Sequence, residues 1–138
     1  MRVAALLLLV LAFAACGEET VAQKPAATPA MSADERAIRE TLKRYEAANR
    51  ANDPKGVCAT TAQEVLDQIE AFGLTCEAFV ADAVKESGPD YKLTTTSVEI
   101  KGDYAMTRGK AVERDGPRSG DQPLVRENGR WLITTKAR

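Results

Sequence analysis

Cysteines at positions 16, 58 and 76 are the side chains of this 138-residue chain whose type and placement most clearly invite covalent chemistry. Cys58 and Cys76 lack the C-x-x-C spacing of a dithiol redox centre, and the chain contains no histidine. A Ser-His-Asp triad or a histidine base is thereby excluded, and two thiols without imidazole partners make a poor zinc site. The glycines never assemble into a phosphate-cradling pattern. No catalytic residue, metal ligand or cofactor is expected. With a formal net charge of −1 the chain lacks the basic excess of a nucleic-acid binder, so nucleic acid is not an expected partner. Charge is nonetheless uneven: residues 53–87 hold seven acids against two bases, and residues 88–138 hold ten bases against seven acids. Two solvated faces of one domain account for this, with a docking surface as the alternative.

Met1-Arg2 is followed by an unbroken apolar run over residues 3–15. That run has the length of a signal-peptide core and is too short for a spanning helix. It ends Ala14-Ala15-Cys16-Gly17, which resembles the lipobox of bacterial lipoproteins; Phe13 stands where an aliphatic residue is more usual. The resemblance implies removal of residues 1–15 as a signal peptide and a diacylglycerol on the Cys16 sulfur. The membrane would then be a partner through the anchor, and the mature protein extracytoplasmic, on the cell membrane or an outer membrane. The alternative is ordinary signal cleavage that leaves Cys16 as a free thiol. Residues 17–31 have no apolar period and contain two prolines, so residues 16–31 read as the lipidated cysteine and a solvated tether. Coil scaling lets such a segment hold a domain roughly 20 Å from its anchor. In an exported chain the two remaining cysteines, Cys58 and Cys76, invite a structural disulfide. Such a loop is worth about 3 kcal/mol.

The elements that would position these side chains occupy residues 32–138. Ser32 and Glu35 have capping-box spacing, and Ile38, Leu42, Tyr45 and Ala48 recur at helical steps until Asp53-Pro54 stops the helix. Asp53 can cap a new turn with Pro54 at its first position. Thr61 and Glu64 repeat the capping spacing before a second helix with Val65, Leu66, Ile69 and Phe72 on its apolar face, ended by Gly73. Thr75 opens a third helix with Cys76, Phe79, Val80, Ala83 and Val84 inward. The period then becomes two. Strands are predicted over 91–101 and 104–113 about a Gly102-Asp103 turn, with Val98 opposite Thr107 and Ile100 opposite Ala105. Residues 115–121 read as a loop. Strands over 122–127 and 130–136 are predicted about Asn128-Gly129, which sets Arg126 across from Trp131, where it can stack on the indole. Three N-terminal helices on a four-stranded antiparallel sheet make an α+β layer fold.

Tyr45, Ala47-Ala48, the Asn52-Asp53 stop, the helix entry at 55–57, the Gly102-Asp103-Tyr104-Ala105 turn and the closing hairpin up to Trp131 together resemble the NTF2-like superfamily. Its small actinobacterial lipoproteins of unknown function, which combine a signal, a tether and a helical cysteine pair, are the nearest in pattern. The resemblance covers residues 32–138 and implies a curved sheet closed into a cone by helices, often around a pocket. Leu42, Tyr45, Val98, Ile100, Arg126, Trp131 and Ile133 are the candidate lining. Thr96, Ala105, Thr107, Gly109 and Ala111 share the inward sheet face, where small side chains either leave space or let helices pack closely. By resemblance Tyr45 occupies the place of the tyrosine that hydrogen-bonds the developing enolate in ketosteroid isomerases, but no Asp or Glu falls convincingly on the inward face to act as base. The expected function is therefore a non-catalytic binding or interaction domain for a small apolar ligand or an envelope protein. An isomerase or lyase using Tyr45, and a spacer with a filled core, are the alternatives. Dimers through the sheet occur in relatives of this shape, and the charged outer face of the first hairpin neither supports nor forbids one here.

Overall fold

The computed structural model describes residues 30–136. The expected signal peptide, Cys16 and nearly all of the expected tether lie outside the described residues. The chain has four helices followed by four strands: α1 Ala33–Arg50, α2 Pro54–Cys58, α3 Gln63–Ala71, α4 Cys76–Ser87, β1 Lys92–Lys101, β2 Tyr104–Glu113, β3 Gly116–Glu127 and β4 Arg130–Ile133. The strands form one antiparallel meander in the order β1-β2-β3-β4, the sheet of the expected α+β fold.

α1 begins where its sequence signals place it. The Ser32 hydroxyl accepts the Glu35 amide at 3.0 Å, and Asp34 and Glu35 face the positive end of the helix dipole. Its apolar stripe buries Ile38 and Leu42 against Ala105, Leu124 and Trp131, with Val98, Ile100 and Ile133 packed around them. After Asn52 (φ 52°) reverses the chain, α2 starts at Pro54 with Asp53 at its N-cap, although the Asp53 side chain makes no capping bond. A smaller core joins Ala48, Val57 and Val84, with Tyr45 and Val80 against it. A disulfide links Cys58 to Cys76 across this layer.

The helical layer corrects several sequence expectations. α3 is capped at Ala62, not at Thr61. The Thr61 hydroxyl donates back to the Val57 carbonyl, and the Gln63 amide instead donates to the Glu127 carboxylate at 3.0 Å. Glu64 turns to Thr134 and Lys136. A carboxylate from the far hairpin thus performs the cap that a local residue was expected to supply. Phe72 and Phe79, expected inward, are 83% and 58% exposed, and Ala83 is exposed too. The inward stripe of α4 runs Cys76, Val80, Val84 at steps of four, because the disulfide fixes the rotation of its first turn. Phe79 and Ala83 lie to the side of that stripe, and Phe72 has already left α3 at its C-cap.

In the sheet, Val98 pairs with Thr107 and Ile100 with Ala105, the register that the Gly102-Asp103 turn dictates. Residues 115–121 are not a loop. β3 starts at Gly116 (φ 112°) directly after an Arg114-Asp115 turn and pairs residue by residue with β2, from Gly116 opposite Glu113 to Val125 opposite Tyr104. Glycine and proline weaken strand propensity, but Pro117, Ser119 and Asp121 face outward and the pairing with β2 overrides local preference. β4 is shorter than expected and ends at Ile133, where the chain turns to bond with the segment before α3 through Ala62 and Thr60. Thr96 is exposed, not inward, because the register shifts between Thr95 and Ser97. At this bulge the β1 backbone presses onto Gly109, where a Cβ would collide with the Thr94 carbonyl oxygen. The β1 border of the sheet receives two side groups: the Arg39 guanidinium donates to the Thr95 carbonyl and the Glu46 carboxylate accepts the Leu93 amide at 2.7 Å.

Replacing both Cys58 and Cys76 by Ala is expected to lower the unfolding free energy by about 3 kcal/mol, the entropy of the 18-residue closure. A urea titration that leaves the midpoint in place would contradict it. Gly109→Ala is expected to cost about 2 kcal/mol in the same titration, since backbone must move to admit the methyl.

Candidate functional site

Side-chain size divides the concave face of the sheet. At the end near the β1–β2 and β3–β4 turns, large residues fill the space under α1. At the other end the inward register presents Thr95, Thr107, Gly109, Ala111 and Gly120. No side chain from the sheet reaches α1 there, and a recess of about 260 Å³ opens between this floor and Leu42, Tyr45, Tyr91 and Leu93. A second recess of about 240 Å³ lies between α4, the end of α1 and the β2–β3 turn, lined by Asn49, Val57, Val80 and Val84 on the helical side. Tyr45, Tyr91, Glu113 and Arg118 border both.

The structure separates the residues expected to line a pocket. Leu42 and Tyr45 border the recess, whereas Val98, Ile100, Trp131 and Ile133 belong to the packed core at the closed end. Their bulk fills the cone where the sheet is most tightly covered by α1. Arg126 is not a ligand-facing cation. Its guanidinium bonds Asp34 at 3.1 Å and Asp103 at 2.8 Å and lies 5.3 Å from the Trp131 ring centroid, while the indole N–H donates to Asp34.

The polar floor of the recess is largely committed. The Thr107 hydroxyl donates to the Gln122 carbonyl at 3.0 Å, and the Gln122 amide donates to the carbonyls of Pro123 and Thr134. The two phenols differ. Their rings meet edge to face, with centroids 6.2 Å apart and planes at 71°. Tyr91 is buried. Burial pushes its phenol well above the ordinary tyrosine range, and Tyr45, Glu113 and Glu46 add to the shift. Tyr91 is therefore a neutral donor at any physiological pH. Tyr45 is held from behind, since the Asn49 amide donates to its carbonyl at 2.9 Å and Ser87 of α4 donates to Asn49.

Tyr91 and Glu113 were not among the expected site residues. Glu113 was legible, because it continues the alternation of Thr107, Gly109 and Ala111 to the end of β2. Its carboxylate faces the Arg118 guanidinium at 3.3 Å, and among the described residues no hydrogen bond joins it to Tyr45. Also among the described residues, no group of three or more Cys, Asp or Glu could hold a metal ion, and no helix is long and apolar enough to cross a membrane. What this arrangement can do is enclose an apolar group beside a pair of phenols.

No family model and no curated protein matches the chain. Solved structures do. An NTF2-like protein of unknown function from Shewanella oneidensis is 21% identical with a TM-score of 0.56, covering 73% of this chain and 94% of its own. Another from Shewanella baltica, also of unknown function, is 16% identical with a TM-score of 0.53, covering 72% and 87%. At these identities the likeness is one of fold: the chain has the NTF2-like fold, a curved sheet wrapped on a long first helix.

The Tyr91 shift makes alkaline stability measurable. A phenol whose folded pKa exceeds its unfolded value of about 10 contributes stability that is complete below pH 10 and is lost as pH rises toward the folded value. Unfolding free energy is therefore expected to fall above about pH 10, with Tyr91→Phe showing a smaller decline. Equal slopes for the two proteins would contradict the assignment.

Proposed function

We propose that this NTF2-like domain belongs to an extracytoplasmic lipoprotein, anchored through Cys16, that binds a small, largely apolar molecule in the open end of its cone without transforming it. The recess of about 260 Å³ beneath Tyr45 carries this reading, because its apolar walls and committed polar groups suit burial of a hydrocarbon body. The Cys58–Cys76 disulfide fits an oxidising compartment, in keeping with export. The first described residues, 30–32, lead into α1, whose Leu42 and Tyr45 border the recess. A packed spacer would have no use for a floor of glycine, alanine and threonine left uncovered, whereas a binding domain requires one.

The juxtaposition of Tyr45, Tyr91 and Glu113 favours a second reading, an isomerase or lyase in which a phenol stabilises an oxyanion and a carboxylate moves a proton. Glu113 is engaged by Arg118 and not by the phenols, which favours the binding role.

Intact mass of the membrane-extracted protein is expected to carry a diacylglyceryl group at Cys16, and Cys16→Ser to release the protein into the soluble fraction. Solvent extraction of the purified protein is expected to yield a small apolar molecule. An unmodified Cys16 would defeat the anchor. Turnover of a substrate that disappears in Glu113→Gln would defeat the non-catalytic reading.

A further inference from the structure

The mouth of the recess carries a paired cation. Arg118 pairs in register with Ala111, so it springs from the concave face, and its side chain is 67% exposed at the opening. A guanidinium there would ordinarily recruit a carboxylate or phosphate. Glu113, also from the concave face, lies beside it at 3.3 Å.

Building on the binding reading above, we infer that the recess takes uncharged amphiphiles with a carbonyl or hydroxyl oxygen, and that Glu113 sets this preference by occupying Arg118. An anionic ligand has to share the Arg118 guanidinium with the Glu113 carboxylate and lie beside it, two like charges at one mouth. A neutral ligand meets no such conflict. Deeper in, the Thr107 hydroxyl and the Gln122 amide are bound to backbone carbonyls. Tyr45 borders the recess edge to face with Tyr91, and among the described residues no hydrogen bond donated by its hydroxyl is found, so a ligand oxygen can accept its proton. One neutral acceptor on an apolar body therefore satisfies the site. Glu113 is a specificity-determining residue in this account, acting on the ligand through the arginine it occupies.

Two probes of equal carbon number, 2-octanone and octanoate, separate the outcomes by titration calorimetry at pH 7 with the purified full chain. The wild type is expected to bind the ketone at least about tenfold more tightly, the scale of one charge-assisted contact. Glu113→Gln is expected to shift the ratio about tenfold toward octanoate, and adding Arg118→Gln to abolish that shift. Both side chains are partly exposed, so the variants are expected to keep the wild-type melting profile. Equal affinity of the wild type for both probes, or an unchanged ratio in Glu113→Gln, overturns the inference and leaves the binding reading standing. Failure of both probes to bind any variant removes the binding reading and the inference with it.

Discussion

The attachment of α1 to Trp131 determines how the rest of the molecule is arranged. Trp131 is buried, and a buried indole is costly unless its N–H is satisfied. Asp34, in the first turn of α1, accepts that proton, and Thr41 two turns later donates to the Trp131 carbonyl at 2.8 Å. Between them Ile38 presses onto the core formed with Leu124. Arg126 covers the ring and ties Asp34 to Asp103 at the β1–β2 turn. Helix, first hairpin and last hairpin are therefore locked at one end of the cone. The remainder of α1 projects over the sheet at an angle set by that lock, and its second half carries Tyr45, Glu46 and Asn49 to the opposite end.

The opening at that opposite end follows from what the sheet presents. Gly109 allows the bulged β1 backbone to approach, and Gly120 stands opposite it on β3. Glycine and alanine there serve backbone approach and at the same time lower the floor of the recess. The disulfide layer completes the arrangement by holding α4 against α1 and α2, so that Ser87 can brace Asn49 and, through it, the backbone of Tyr45. The binding surface is thus assembled from a helix fixed at its far end and a strand bent by one extra residue.

Much of this architecture could be read from local patterns. The Ser32 cap, the helical stripe of α1, the Gly102-Asp103 and Asn128-Gly129 turns and the β1–β2 register all depend on residues close in sequence, where propensity and tertiary structure agree. The misreadings share one cause, interactions over long sequence distances. Residues 116–121 look like a loop and become strand because β2 lies beside them. Thr61 looks like a cap and is displaced by Glu127. Phe79 looks inward until the Cys58–Cys76 link sets the rotation of α4. The site was legible in part: Leu42 and Tyr45 follow from helical period, but Tyr91 precedes its strand and acquires its role only when α1 is laid across it. Glu113 could have been found by carrying the alternation of β2 one step further.

The contacts at the sheet borders carry a consequence for crowding. Arg39 and Glu46 occupy hydrogen-bonding groups on the outer side of β1, and β4 is bonded along Ile133 to Thr60 and Ala62. These contacts occupy groups that would otherwise let one chain extend the ladder of another at the start of β1 and along the end of β4. Copies packed densely side by side are thereby restrained, at those positions, from zipping into shared sheets.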